Sequence, residues 1–154
     1  MPTRAQIAHR RAQADAALNL SRIQRGLERR IQALLQAERL QNVTPAQANA
    51  LMILFQEKDP MTARDLAAEM SLSEVTVGRF VRALEKSGWV VRVPHPTDSR
   101  AILISPSRKA YRAFQRFLRV SNATLDETFE GFSRKQMQDL VRMTERLRAN
   151  LQDL

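Results

Sequence analysis

The chain has 154 residues, 44% of them hydrophobic, enough to bury a core as one domain or as one domain with helical extensions. Its formal charge of +9 comes from 25 Lys and Arg against 16 Asp and Glu, a balance that suits a polyanionic partner but, with 21 of the cations being arginine, equally suits a merely arginine-rich composition. The absence of cysteine excludes disulfides, thiol catalysis, thiol redox sensing and Cys-ligated zinc, and two histidines, His9 and His95, are too few for a histidine metal cluster.

With four Gly and six Pro, helix should dominate. Residues 5–40 contain no proline, and Leu20, Ile23, Leu27, Ile31 and Leu34 recur every three or four positions, so a first amphipathic helix is expected there. Thr44-Pro45-Ala46-Gln47 reads as an N-cap, a proline at the first helical position and a capping-box partner. It opens a largely buried helix that Lys58-Asp59-Pro60 ends. Thr62-Ala63-Arg64-Asp65 is a second capping box, starting a short helix with Leu66, Ala67 and Met70 inward. Ser71-Leu72-Ser73 breaks that helix, and Ser73 caps a fourth running from Glu74 to about Lys86, with Val77, Phe80, Val81 and Leu84 inward. Gly88 suits the left-handed residue that closes it.

After Gly88 the period changes from 3.6 to 2. Residues 89–93 and 101–105 are β-rich runs joined by the polar loop Pro94-His95-Pro96-Thr97-Asp98-Ser99-Arg100, which predicts a hairpin with a long tip. A long helix follows, with Phe114, Phe117, Leu118 and Leu125 as its apolar set and Phe129 and Phe132 near its end. Ser133-Arg134-Lys135-Gln136 then launches a terminal helix whose stripe is Met137, Leu140, Thr144, Leu147, Leu151 and Leu154.

A short helix, a three-residue turn and a second helix form the layout of a helix-turn-helix, with Ala67 at the crossing, Ser71 at the turn and Val77 buried on the second helix. A plain helical hairpin would share that pattern. The β-hairpin directly after it reads as a wing, and favours a DNA-binding head. Arg100 is the wing residue suited to a narrow minor groove, whose negative potential attracts a guanidinium. Asp98 cannot profit from phosphates and is expected to pair with a cation of the protein, Arg92 or Arg79. On the reading helix, Ser73 and Thr76 can donate to phosphates or base edges, Val75 can touch a thymine methyl, Arg79 can bridge two guanine acceptors, and Glu74 can only repel phosphate or accept from a base such as cytosine. Thr62 and Arg64 are placed for phosphate contacts at the preceding helix start.

Together, Thr44-Pro45-Ala46-Gln47, Leu66-Ala67-Ala68-Glu69-Met70 through Thr76-Val77-Gly78-Arg79, Leu84-Glu85-Lys86-Ser87-Gly88-Trp89-Val90 and above all Asp98-Ser99-Arg100 resemble the MarR family of winged helix-turn-helix transcriptional regulators. The resemblance is specific over residues 44–105 and looser elsewhere. It implies an obligate homodimer with intertwined terminal helices, a wing arginine at Arg100 in the minor groove, and Asp98 holding the wing. It further implies a repressor whose DNA binding responds to a small, often aromatic or phenolic, effector. The departures are Ser71, where the family favours glycine, and Pro106-Ser107, where it more often has a polar pair before a glycine.

The fold class expected is therefore mainly α with a small β-hairpin: a dimerisation helix in residues 1–43, a winged helix-turn-helix in residues 44–105, and a connecting helix plus a second dimerisation helix in residues 106–154. The terminal stripes, with Leu20, Ile23 and Leu27 at one end and Leu140, Leu147 and Leu151 at the other, exceed what a small winged domain can cover. A twofold interface would bury them, and the operator should then be a pseudo-palindrome of double-stranded DNA.

No nucleophile with an adjacent base, phosphate-cradling glycine loop or metal constellation can be assembled, so neither an enzyme nor a resident cofactor is expected. A winged helix serving as a protein-interaction module is the competing reading, kept open by Glu74. The longest apolar run, residues 50–55, is far short of the ~18 residues of a membrane helix, and no secretory core follows Met1, so a cytoplasmic protein without a membrane partner is expected. The charge is uneven. Residues 1–43 carry eight cations against three anions, +5; residues 44–105 carry seven of each; residues 106–154 carry ten against six, +4.

Overall fold

In a computed structural model, which describes residues 1–152, the chain forms α1 (Arg4–Ala37), α2 (Pro45–Gln56), β1 (Met61–Thr62), α3 (Ala63–Met70), α4 (Glu74–Lys86), β2 (Val90–Pro94), β3 (Ile102–Pro106), α5 (Arg108–Thr128) and α6 (Arg134–Gln152). Leu154, the last position of the expected terminal stripe, lies outside the described residues. The mainly helical, winged architecture is the one the sequence predicts, with one strand more. β1 pairs with β3 through Met61↔Ile104 and Thr62↔Leu103, giving a three-stranded antiparallel sheet in the order β1-β3-β2. The hairpin register runs from Val90↔Pro106 to Pro94↔Ile102, one residue later than the sequence pattern suggests.

Local chemistry sets the helix ends. The capping boxes at Thr44 and Thr62 form as expected, and an unanticipated one at Thr3 and Gln6 starts α1. Three helices in the first part of the chain close with the same hydrogen-bond pair around a left-handed residue. At the end of α1 it is Arg39 (φ 58°), with Leu40 N–H donating to Leu35 O at 2.7 Å. At the end of α3 it is Ser71 (φ 52°), with Leu72 N–H donating to Ala67 O at 3.0 Å. After α4 it is Gly88 (φ 77°), with Trp89 N–H donating to Leu84 O at 2.8 Å.

Ser71 carries a side chain where the turn wants none. The left-handed region costs an L-residue about 1–2 kcal/mol, and glycine's extra unfolded-state entropy returns about half of that. Ser71→Gly should therefore raise stability by about 0.5–1 kcal/mol in chemical denaturation. A loss of stability would show that the Ser71 conformation is not strained.

Met1–Thr124 forms one compact unit. Its core takes Leu35 from α1, Ala48, Ala50, Leu51 and Leu54 from α2, Leu66 and Ala67 from α3, and Val77, Val81 and Leu84 from α4. Trp89, Val90 and Ile104 come from the α4 exit and sheet, and Ala110, Ala113, Phe117 and Val120 from α5. Phe117 joins these layers, its ring lying edge-on to Trp89 at 5.5 Å and tilted against Phe55 at 6.0 Å. Ser107, a departure from the family pattern, is the buried start of α5. Its hydroxyl donates to Gly88 O at 2.6 Å and accepts from Ala110 N–H at 3.1 Å, stitching the α4 exit to α5.

α1 divides into two parts. Ile31 and Leu34 pack on the core of their own chain rather than standing free, Leu27 is half-buried, and Leu20 and Ile23 are exposed. Helical spacing finds the apolar face but not which body covers it. The end of α1 is fixed to α5 by Glu38, whose carboxylate accepts two hydrogen bonds from Arg119 at 2.9 and 2.7 Å while Arg116 reaches its carbonyl at 3.2 Å. The Arg119 hydrogen bonds hold the Glu38 carboxyl below the usual carboxylate range, and Glu38 raises Arg119 in turn.

Leu125–Leu154 forms a second compact unit. Within its described part, Phe129 and Phe132 meet edge-on at 6.0 Å, Gly131 (φ 78°) makes the turn, and the Ser133–Gln136 capping box opens α6. Leu140 is half-buried, whereas Val141, Met143, Leu147 and Leu151 are exposed. Among the described residues no helix is long and apolar enough to cross a membrane.

Candidate nucleic-acid interface

The reading head is assembled by α3, α4 and the β2–β3 loop. α4 is oriented from below by Val77, Val81 and Leu84, all buried, while Phe80 is half-buried. Opposite them the helix presents Val75, 69% exposed, with Arg79, Arg82 and Lys86 also exposed. An isolated apolar side chain this exposed among cations suits a surface that meets a partner having both methyl groups and acceptors.

The cap of α4 uses residues the sequence assigns to DNA. Ser73 Oγ accepts from Thr76 N–H at 3.1 Å, and the Ser73 and Thr76 hydroxyls share a hydrogen bond of 2.9 Å. Part of their capacity is thus spent inside the protein, and between them they keep one hydroxyl proton for a ligand. Glu74 is the first residue of α4, where a carboxylate offsets the helix macrodipole, so its presence has a local cause that needs no partner. Thr62 is similarly occupied. Its Oγ1 accepts from Asp65 N–H at 3.1 Å and donates to Asp65 Oδ2 at 2.7 Å, so only Arg64 of the expected phosphate pair is unengaged.

Asp98 does not pair with Arg92 or Arg79. Arg92 Nε instead meets Glu85 at 2.8 Å, tying β2 to α4, and Asp98 Oδ1 accepts from Arg100 N–H at 2.9 Å. The aspartate therefore shapes the wing through its own backbone two residues on, a short-range turn bond that outcompetes a distant ion pair at an exposed site. Asp98 O also accepts from Ala101 N–H at 3.1 Å, and His95 N–H donates to Ala101 O at 3.0 Å, closing the loop. His95, which the sequence assigns no role beyond the polar loop, takes part in shaping the wing. It is half-buried, and its ring Nδ1 accepts from Thr97 N–H at 3.2 Å and Asp98 N–H at 3.1 Å. The signal available in the sequence was an acceptor side chain two and three residues ahead of turn amides.

Arg64, Arg79, Arg82 and Arg100 are all exposed, and among the described residues none has an ion-pair partner. This set defines a winged helix-turn-helix head with a cationic, partly apolar reading face. Residues 43–102 match the model of the MarR family, so this reading head is similar to that family's. YcgE, an HTH-type transcriptional regulator of Bacillus subtilis, is 34% identical over 74 residues, covering 47% of this chain and 48% of that protein. The chain thus spans about half the length of the curated relative it matches.

Solved structures share the fold at low identity. A MarR transcriptional regulator from Methanosarcina mazei Go1 superposes with a TM-score of 0.77 at 16% identity, over 92% of this chain and 99% of that one. CouR from Rhodococcus jostii RHA1, solved bound to p-coumaroyl-CoA, gives 0.76 at 21% identity, over 86% and 91%.

Proposed function

We propose that the chain is a sequence-specific DNA-binding repressor that acts in the cytoplasm as a homodimer on a pseudo-palindromic operator. The observation that carries this reading is the unpaired outward set Val75, Arg79 and Arg82 on a rigidly capped α4, beside a wing that ends in a free Arg100. In this reading α4 lies in the major groove, with Val75 and Arg79 toward base edges, Ser73 and Glu74 at its entry, Thr76 and Arg64 toward phosphates, and Arg100 in the adjacent minor groove. Exposed apolar side chains support the dimer, with Leu20 and Ile23 on α1 and Leu147 and Leu151 on α6 as contributors alongside the half-buried Leu27 and Leu140. Light scattering should find two chains per particle at micromolar concentration, and a monomer would remove that part of the reading.

A small aromatic or phenolic effector is part of the same proposal. It is supported by the exposed Tyr111, whose ring meets Phe55 as Phe114 also does, and by the aromatic acyl-CoA bound in the CouR structure. The decisive experiment is fluorescence anisotropy with promoter DNA adjacent to the chain's own gene. Sequence-preferring binding at moderate salt is expected, and its absence would favour a protein-interaction module. Arg100→Ala should weaken binding to all sequences and reduce the slope of log affinity against log salt by about one per half-site. An unchanged slope would place Arg100 away from the phosphates.

A further inference from the structure

The wing tip is organised around one imidazole. Backbone amides can only donate, so the two that point at His95 Nδ1, from Thr97 at 3.2 Å and Asp98 at 3.1 Å, require that nitrogen to carry no proton. The Thr97 hydroxyl lies 3.3 Å from the same atom. Orienting the Asp98 amide also orients its carboxylate, which accepts from Arg100 N–H at 2.9 Å, and its carbonyl, which accepts from Ala101 N–H at 3.1 Å. A chain of bonds thus runs from the His95 ring through Asp98 to the backbone of Arg100. None of it is tertiary packing. The remaining wing residues, Pro96 to Arg100, are exposed and have no core to hold them.

We propose that His95 is the positioning residue of the wing: its acceptor Nδ1 preorganises the loop so that Arg100 meets DNA without first being ordered. The inference rests on the DNA-binding reading above. Its physical basis is entropic. An exposed seven-residue loop that is fixed only on binding forfeits affinity, and a preformed one does not. Asparagine places an acceptor oxygen at the same number of bonds from the backbone as Nδ1 and is itself suited to turns of this kind, whereas alanine offers none.

The test is anisotropy on promoter DNA at fixed salt with wild type, His95→Ala, His95→Asn, Arg100→Ala and the His95→Ala/Arg100→Ala double variant. His95→Ala should weaken binding about fivefold to tenfold, corresponding to two lost local hydrogen bonds, with an unchanged melting temperature. His95→Asn should stay within about twofold of wild type, and His95→Ala should cost almost nothing further once Arg100 is absent, because it acts through that residue. Wild-type affinity in His95→Ala, equal losses in the Asn and Ala variants, or a full additional loss in the double variant would each overturn the assignment of His95 alone. Absence of sequence preference in the wild type would instead overturn the DNA-binding reading, and this inference with it.

Discussion

Phe117→Ala should destabilise the chain by about 3–5 kcal/mol and lower its melting temperature by roughly 10 °C, the largest stability effect expected of any single truncation here. Phe117 is 1% exposed and stands where three layers meet: Phe55 of α2 on one side, Trp89 at the α4 exit on another, and its own helix α5 behind. Removing the ring deletes transfer free energy and leaves a cavity that helices fixed at both ends cannot fill. It also abolishes two aromatic contacts worth about 0.5–1.5 kcal/mol each beyond area burial. Tyr111, one to two turns earlier on the same helix and 59% exposed, is the control. Its truncation should cost only about 0.5–1.5 kcal/mol, the value of its one ring contact with Phe55. The comparison belongs at equal protein concentration, since a dimer's apparent stability depends on it. A loss below about 1 kcal/mol for Phe117→Ala would mean that the core repacks around the site and that Phe117 is not its junction.

How much of this architecture is legible without coordinates depends on the range of the interaction. Capping boxes at Thr44, Thr62 and Ser133 are readable because donor and acceptor lie three residues apart, and Gly88 because only one residue type relaxes a left-handed backbone. β1 is not readable, since two residues carry no period and Met61 and Thr62 become strand only when β3 lies beside them. The charge of Asp98 points to a distant cation, whereas its nearest donor is the amide of Arg100. The apolar stripe of α1 is legible as one face, but its division at Leu27, with Ile31 and Leu34 inward and Leu20 and Ile23 outward, depends on where the core ends. The charge behaves similarly. The head is neutral by count, and what makes it a candidate interface is that four of its seven acids, those nearest the reading helix and wing, are engaged locally. Asp65 holds the α3 cap, Glu85 holds Arg92, Asp98 holds the wing, and Glu74 offsets the α4 dipole, while Arg64, Arg79, Arg82 and Arg100 have no ion-pair partner among the described residues.

Arg79→Ala tests the reading face most sharply. Recognition helices touch base edges with their N-terminal half, and Arg79 is the sixth of the thirteen residues of α4, one turn beyond Val75. A guanidinium bridging the two major-groove acceptors of guanine contributes about 1–3 kcal/mol of discrimination per contact, so a dimer would lose up to twice that across two half-sites. The expected result is therefore selective: a large loss on the preferred operator, and almost none on an operator already substituted at the contacted base pairs, because the discrimination has been lost there once. Arg82 lies almost another turn along the helix and should behave differently. Arg82→Ala is expected to weaken all sequences alike and to flatten the salt dependence by about one unit per half-site, as a phosphate contact does. If Arg79→Ala instead reduced affinity by the same factor for every operator variant, with wild-type discrimination retained, Arg79 would be a phosphate ligand, and base recognition would have to come from Val75 and the Ser73–Thr76 hydroxyl pair at the start of the helix.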